Sequence, residues 1–418
     1  MAADGSANGW WRGLTGDRGG IAHARSAGLA SAAPPPDAPA LSIAGVDPER
    51  GFAGGETQVL GLTLELRRAG HRADLLCDPA GELWQRARAA GIACHPLRIR
   101  NSVDAAAGLK LRSYLARNRY DVVHFHTSRA HALAPFARGR AGVAVVTRRM
   151  DYAPNRFFAP WLFNRAVDGV AAISPAVADA LARSGVIRDR IAIIPSGVDC
   201  DRFRPPTRAE RDRARIEFGL AARDIAVGTV GMIEERKGQR YLIEAMEVLR
   251  DSGAAGAADA VGPRVRCFIA GAGPLAETLL AEIRAQELHE SVRMMGMVGD
   301  PRSLLWALDI FAMPSLQEGL GVAALEAMAC GLPVVASAAG GLVDSVQNGV
   351  TGIHVPAGDA QALANAIARL AAHAELRAAM GQAGRNRALA DFAMEEMARG
   401  TLALYRACLR DRARGRRH

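Results

Sequence analysis

Two carboxylates, Glu318 and Glu326, stand with seven residues between them in the stretch FAMPSLQEGLGVAALEAMACGLPVVAS, residues 311–337. The stretch reads as strand end, glycine-containing turn, helix, turn and strand. Pro314 and Ser315 close an apolar run, VAALEAMAC consists of good helix formers, and Gly331-Leu332-Pro333 stops the helix. Counted as helical, the spacing sets the two carboxyls about two turns apart, roughly 12 Å along the axis. Glu318 would then sit at the helix mouth and Glu326 deeper along it. The N–H groups of Gly319, Leu320 and Gly321 would point at an anion in that mouth, which the helix dipole favours. The competing reading is an ordinary βαβ unit with solvent-facing glutamates.

Six further residues carry charge or a proton. Arg236 and Lys237 lie in VGMIEERKGQ, a turn between a strand and a helix. Such a turn is either an exposed basic loop or a cationic clamp on a leaving diphosphate, a clamp that needs no metal. His126 ends the apolar strand DVVHFH, at the carboxyl edge where open α/β sheets bind ligands; otherwise it is a packing residue. His124 shares its face and reads as support. Arg148 and Arg149 end AVVTRR and are either acceptor contacts or partners in a salt bridge to a helix. Asp199-Cys200-Asp201 spells a metal-binding pattern but falls in a linker, so no metal is expected. The six cysteines are scattered without zinc spacing, as in a reduced cytoplasmic protein.

These residues need a scaffold of two domains, which a chain of 418 residues, half of them apolar, can fill. No apolar run reaches the ~18 residues of a membrane span. Order should begin near Leu41 with the strand LSIAGV, then a loop holding Gly51, Gly54 and Gly55, an amphipathic helix and the strand HRADLLCD. DVVHFH, AVVTRR, GVAAIS and RIAII continue the strands, and WLFNRAV reads as a helix. A proline-punctuated linker follows, and the alternation resumes through DIAVGTVGM, RVRCFIAGAG and SVRMMGMV to FAMPS. Alternation of this kind predicts parallel sheets covered on both faces. SGAAGAADAVGP is an inserted Ala/Gly loop, and residues 1–40 lack periodicity and read as disordered, a weak transit-peptide likeness or an over-extended start.

The formal charge of +9 is uneven. Residues 1–200 hold 25 Lys and Arg against 17 Asp and Glu, whereas 201–418 hold 27 against 26. Arg86 to Arg156 alone has 14 basic and three acidic residues. A face like this is solvated surface or a contact for anionic acceptors or an anionic membrane. Nucleic acid is not expected, since aromatics are sparse there and no recognition motif accompanies the charge.

Taken together, these residues resemble the retaining GT-B glycosyltransferases of family 4, whose signature is Glu-x7-Glu after Pro-Ser and before Gly-x-Pro-Val. Pro314-Ser315, Glu318, Glu326 and Gly331 to Val334 all match, as does Asp-Val-Val-His-x-His at Asp121 to His126. The likeness covers about residues 41–410. It implies an α/β GT-B fold of two Rossmann-like parallel-sheet domains facing across a cleft. The implied layout is an extension at 1–40, an acceptor-side domain at 41–203 and a nucleotide-sugar domain at 204–391. A helix with an Arg-rich tail at 392–418 then crosses back to the first domain.

By the same resemblance, His126 faces the reacting sugar, Glu318 orients it, and Glu326 accepts from the ribose hydroxyls. Lys237 binds the diphosphate with the amides of Gly319, Leu320 and Gly321. The Gly54-Gly55 loop approaches the donor from the opposite domain, and Met297 and Val298 meet the base through their backbone. Two departures stand out: Met232 follows Gly231 where the family usually has Arg, with Arg236 as a replacement, and Ser196 stands where Asn is commoner. The implied reaction is metal-independent transfer from a nucleotide-sugar, a co-substrate and not a cofactor. Its acceptor is a hydroxyl of an envelope glycolipid or polysaccharide precursor, in the cytoplasm or on the inner face of the membrane. A GT-B-fold sugar-nucleotide epimerase and a non-catalytic nucleotide-sugar-binding protein are the rival readings.

Overall fold

Short apolar runs form two separate parallel sheets in a computed structural model, which describes residues 39–101, 104–252 and 264–415. The first holds β1 (Ser42–Asp47), β2 (Arg72–Cys77), β3 (Cys94–Pro96), β4 (Val122–Phe125), β5 (Val143–Arg148), β6 (Gly169–Ala172) and β7 (Ile191–Ile193). Their order is β3-β2-β1-β4-β5-β6-β7, and every pairing is parallel. The second holds β8 (Ile225–Val230), β9 (Val265–Ala270), β10 (Val292–Gly296), β11 (Ile310–Met313), β12 (Val334–Ser337) and β13 (Gly352–Val355), in the order β10-β9-β8-β11-β12-β13. All residues of β4, β5, β11 and β12 are buried. That is why their sequences run apolar without alternating: helices cover both faces.

Two strands were not anticipated. β3 and β13 are short edge strands of three and four residues, too brief and too weakly apolar to rise above turn signals. WLFNRAV is not one helix: an α-turn at Ala159–Trp161 runs into a π-helical Leu162–Ala166. Gly54 and Gly55 are not loop residues but open the helix Gly54–Arg68, with Ala53 as its N-cap. The expected extension at 1–40, apart from its last two residues, lies outside the described residues. So do the inserted Ala/Gly loop beyond Ser252 and the last three residues of the tail.

The chain crosses back where Val198 N–H donates to Phe392 O (2.7 Å) and Met394 N–H donates to Val198 O (3.0 Å). The closing helix, Met394–Gly415, then lays Met397, Leu404 and Tyr405 among Leu62, Leu66 and Val145 of the first sheet's layer. Among the described residues, no helix is long and apolar enough to cross a membrane.

Candidate functional site

In an open parallel sheet a crevice forms where neighbouring strands lead the chain away in opposite directions, and ligands bind beyond the carboxyl ends there. The first sheet has this switch between β1 and β4, and the second between β8 and β11. Asp47 and His126 stand at the ends of the first pair; the Gly231–Lys237 turn and Pro314–Glu318 follow the second. The two edges touch. Ser174, N-cap of the Pro175–Arg183 helix, donates through Oγ to Gly319 O at 2.6 Å. A Cβ on Gly319 would overlap the Arg149 carbonyl oxygen, so this position needs glycine for space.

On the first edge, His126 is buried and its ring centroid lies 4.0 Å from that of His124. Burial first, then the neighbouring His124, Arg149 and His131, which would oppose a second positive charge there, push its pKa well below the usual value, so the imidazole is neutral at pH 7. Among the described residues its Nδ1 has no partner. His124 is held at both nitrogens, 2.6 Å from the Tyr405 hydroxyl and 2.7 Å from Thr147 Oγ1, as a supporting residue should be. Beside them Arg148 is buried, donating to Ser128 Oγ and Tyr152 O. Arg149 is half-buried and donates to Ser196 Oγ at 3.2 Å. Among the described residues, neither arginine reaches a carboxylate within 4.0 Å, so no salt bridge to a helix is formed there.

On the second edge, Lys237 Nζ stands 2.6 Å from Glu318 Oε2, both side chains largely buried. Glu318 is not on the helix. Val322–Ala329 is the helix, Gly321 is its left-handed N-cap (φ +85°), and the turn before it carries Glu318. The two-turn spacing of the carboxyls therefore does not apply, because only Glu326 is helical. Among the described residues, the N–H groups of Gly319, Leu320 and Gly321 donate to no protein acceptor. Glu326 is half-buried, and burial pushes its carboxyl up to about 7; Arg202 pulls it down and Asp300 pushes it up further.

Residues 52–202 match the family described as Glycosyltransferase Family 4, and residues 210–387 match Glycosyl transferases group 1. A D-inositol 3-phosphate glycosyltransferase of Salinispora arenicola is 31% identical over 328 residues, 72% of this chain and 71% of that one. The chain belongs to the family 4 glycosyltransferases. A GDP-mannose-dependent alpha-(1-6)-phosphatidylinositol monomannoside mannosyltransferase of Mycolicibacterium smegmatis is 38% identical over 207 residues, 47% of this chain. That match spans about half (51%) of the relative's length. In fold, the chain is similar to Anabaena Alr3699/HepE, solved with UDP and glucose. The TM-score is 0.75 at 22% identity, over 87% of this chain and 98% of that one. Sucrose-phosphate synthase of Thermosynechococcus elongatus gives a TM-score of 0.74 at 23% identity, over 89% and 100%. Two parallel sheets in this arrangement are the GT-B fold.

In this glycosyltransferase the expected residues are unevenly gathered. Glu318, Lys237 and the Gly319–Gly321 turn form one cluster, and Arg149 meets it through its backbone. Arg236 turns away: its exposed side chain pairs with Glu234 at 2.6 Å, and its carbonyl accepts from Leu316 N–H at 2.8 Å. Met232 is half exposed. Met297 is 81% exposed and Val298 is half-buried, beside an Asp300–Arg302 pair at 2.6 Å. Among the described residues, a Cβ on Gly54 or Gly55 would meet nothing within 4 Å. Sequence reasoning missed Ser174, Tyr405 and Asp47. Asp47 ends β1 in the same way that His126 follows β4, and that shared position at a switch-point strand end was a usable signal. Among the described residues, no group of three or more His, Cys, Asp or Glu is placed to hold a metal.

Proposed function

We propose that the protein transfers a sugar from a nucleotide-sugar to a hydroxyl of a glycolipid or glycan precursor, with retention of configuration and without a metal. The observation that carries this reading is the Lys237–Glu318 ion pair at one switch point, opposite a neutral His126 at the other. On donor binding, Lys237 exchanges Glu318 for the diphosphate, and Glu318 is freed to accept from the sugar hydroxyls. Glu326 accepts from the ribose, and the Gly319–Gly321 amides add donors to the phosphate. The bond from C1 to the phosphate oxygen breaks, and a bond from C1 to the acceptor oxygen forms on the same face. The acceptor proton passes to the departing diphosphate, so no separate base is required. The relatives' names, an inositol 3-phosphate glycosyltransferase and a phosphatidylinositol monomannoside mannosyltransferase, support a phosphorylated polyol or lipid-linked acceptor. The basic first half supports peripheral contact with an anionic inner membrane face.

Nucleotide release from a panel of UDP- and GDP-sugars, with and without envelope lipid extract, tests this. Acceptor-dependent release that Lys237→Ala lowers at least about 10-fold is expected, the scale of one charged hydrogen bond. Acceptor-independent epimerisation of the sugar, or release unaffected in Lys237→Ala, overturns it.

A further inference from the structure

The rim around His126 holds more hydrogen-bonding capacity than it uses. Among the described residues, Asp47 Oδ2, His126 Nδ1, Arg148 Nε and Arg149 Nε are buried without a partner, and all four belong to the carboxyl ends of the adjacent strands β1, β4 and β5. Buried polar atoms are nearly always satisfied, so four at one sheet edge mark a place completed from outside the protein. The two arginines differ in how much remains free. Both terminal nitrogens of Arg148 are engaged, and its guanidinium lies 4.8 Å from the Tyr152 ring centre. Among the described residues, the Arg149 side chain makes one hydrogen bond, although a guanidinium has five N–H donors in a rigid fork.

Charge leads to the same residue. Lys237 is paired with Glu318, Arg236 with Glu234, Arg129 with Glu49 and Arg50 with Asp78. The carboxyls that face Arg149 are Asp47 and Glu56, both beyond ion-pair distance among the described residues. Glu56 Oε2 is occupied by the Ala53 N–H. Burial pushes the Asp47 carboxyl up to about 7, so it offsets the cation only in part, and burial keeps His124, His126 and His131 neutral. A planar, half-buried cation without a counter-ion is the fork that phosphate oxygens fit bidentately.

We propose that Arg149 seats a phosphoryl group that a ligand carries into the cleft on the His126 side. The sugar-transfer reading enters only in naming the source. Either the donor's diphosphate provides the group, with Arg149 replacing the arginine absent at Met232, or the acceptor bears a phosphate near its nucleophilic hydroxyl. The geometry favours the acceptor, because the guanidinium is bonded to Ser196 and faces Asp47 and Glu56 of the first half. Lys237 stands on the second.

Titration calorimetry of the full chain with inorganic phosphate, alone and saturated with UDP or GDP, distinguishes the sources. The wild type should bind phosphate with nucleotide present, and Arg149→Gln should weaken that binding at least about 10-fold. If phosphate competes with nucleotide, and Arg149→Gln weakens nucleotide binding equally, the group is the donor's diphosphate. Should Arg149→Gln lose its circular dichroism signature, Arg149→Lys keeps the charge but not the fork and is expected to weaken phosphate about threefold or more. Unchanged phosphate affinity in a folded variant, or no phosphate binding to the wild type, overturns the assignment. Nucleotide release judges sugar transfer separately.

Discussion

Replacing Glu326 with glutamine removes a charge that burial disfavours. The carboxyl moves from 4.5 to about 7, which at about 1.4 kcal/mol per pH unit amounts to about 3 kcal/mol against folding once the group ionises. Below pH 4.5 it is protonated in the folded and the unfolded chain, and the penalty vanishes. The penalty grows as pH rises from 4.5 to about 7 and is complete above that. Glu326→Gln should therefore lie within about 1 kcal/mol of the wild type at pH 5 and be up to about 3 kcal/mol more stable at pH 8.5. At about 2–4 °C per kcal/mol for a domain of this size, Tm should rise by about 6–12 °C at the higher pH. The same variant should bind UDP or GDP at least about 10-fold more weakly, because a carboxylate that accepts ribose hydroxyls is a charged acceptor. Thermal melts at the two pH values and nucleotide titrations read both effects. A variant no more stable than wild type at pH 8.5 would refute the desolvated carboxylate, and unchanged nucleotide affinity would remove Glu326 from the donor site.

Gly319→Ala drives a methyl into the Arg149 carbonyl oxygen. It should cost about 1–3 kcal/mol in melts and lower transfer by more than the lost stability explains, since the contact joins the two sheet edges; full activity would mean that the edges part during turnover. Tyr405→Phe leaves His124 Nδ1 buried without its hydroxyl partner. A loss of about 1–3 kcal/mol is expected, and a melting point equal to that of the wild type would show that the hydroxyl does not hold His124.

The sheets were legible because apolar strands and amphipathic helices alternate, and the six-residue apolar runs of β1, β5, β8 and β9 made those strands plain. β3 and β13 were not, because an edge strand of three or four residues gains its stability from a neighbour the sequence does not display. The same limit governs the site. His126, Lys237, Glu318 and Glu326 were each identifiable by type and surroundings. That Lys237 and Glu318 form an ion pair depends on β8 and β11 being neighbours, across 81 positions of sequence. Arg236 and Lys237 looked equivalent as adjacent cations in one turn, but the turn sends the first to Glu234 and solvent and the second into the cleft. The arginines ending β5 were read as acceptor contacts or as partners in a salt bridge to a helix; the strand carries Arg148 into the interior, where it donates to Ser128 Oγ and Tyr152 O.

The hydroxyl that completes His124 is made 281 residues after it. At about 5–20 residues per second, the ribosome takes roughly 15–55 s to add that stretch. During this interval the nascent first sheet has Val122, Val143, Val145 and Ala171 without the Tyr405 and Leu404 side chains that later bury them. A chaperone that holds emerging chains has its longest opportunity here. A chimera that joins this first half to another protein's second half inherits a foreign closing helix, and with it a foreign wall of its own core.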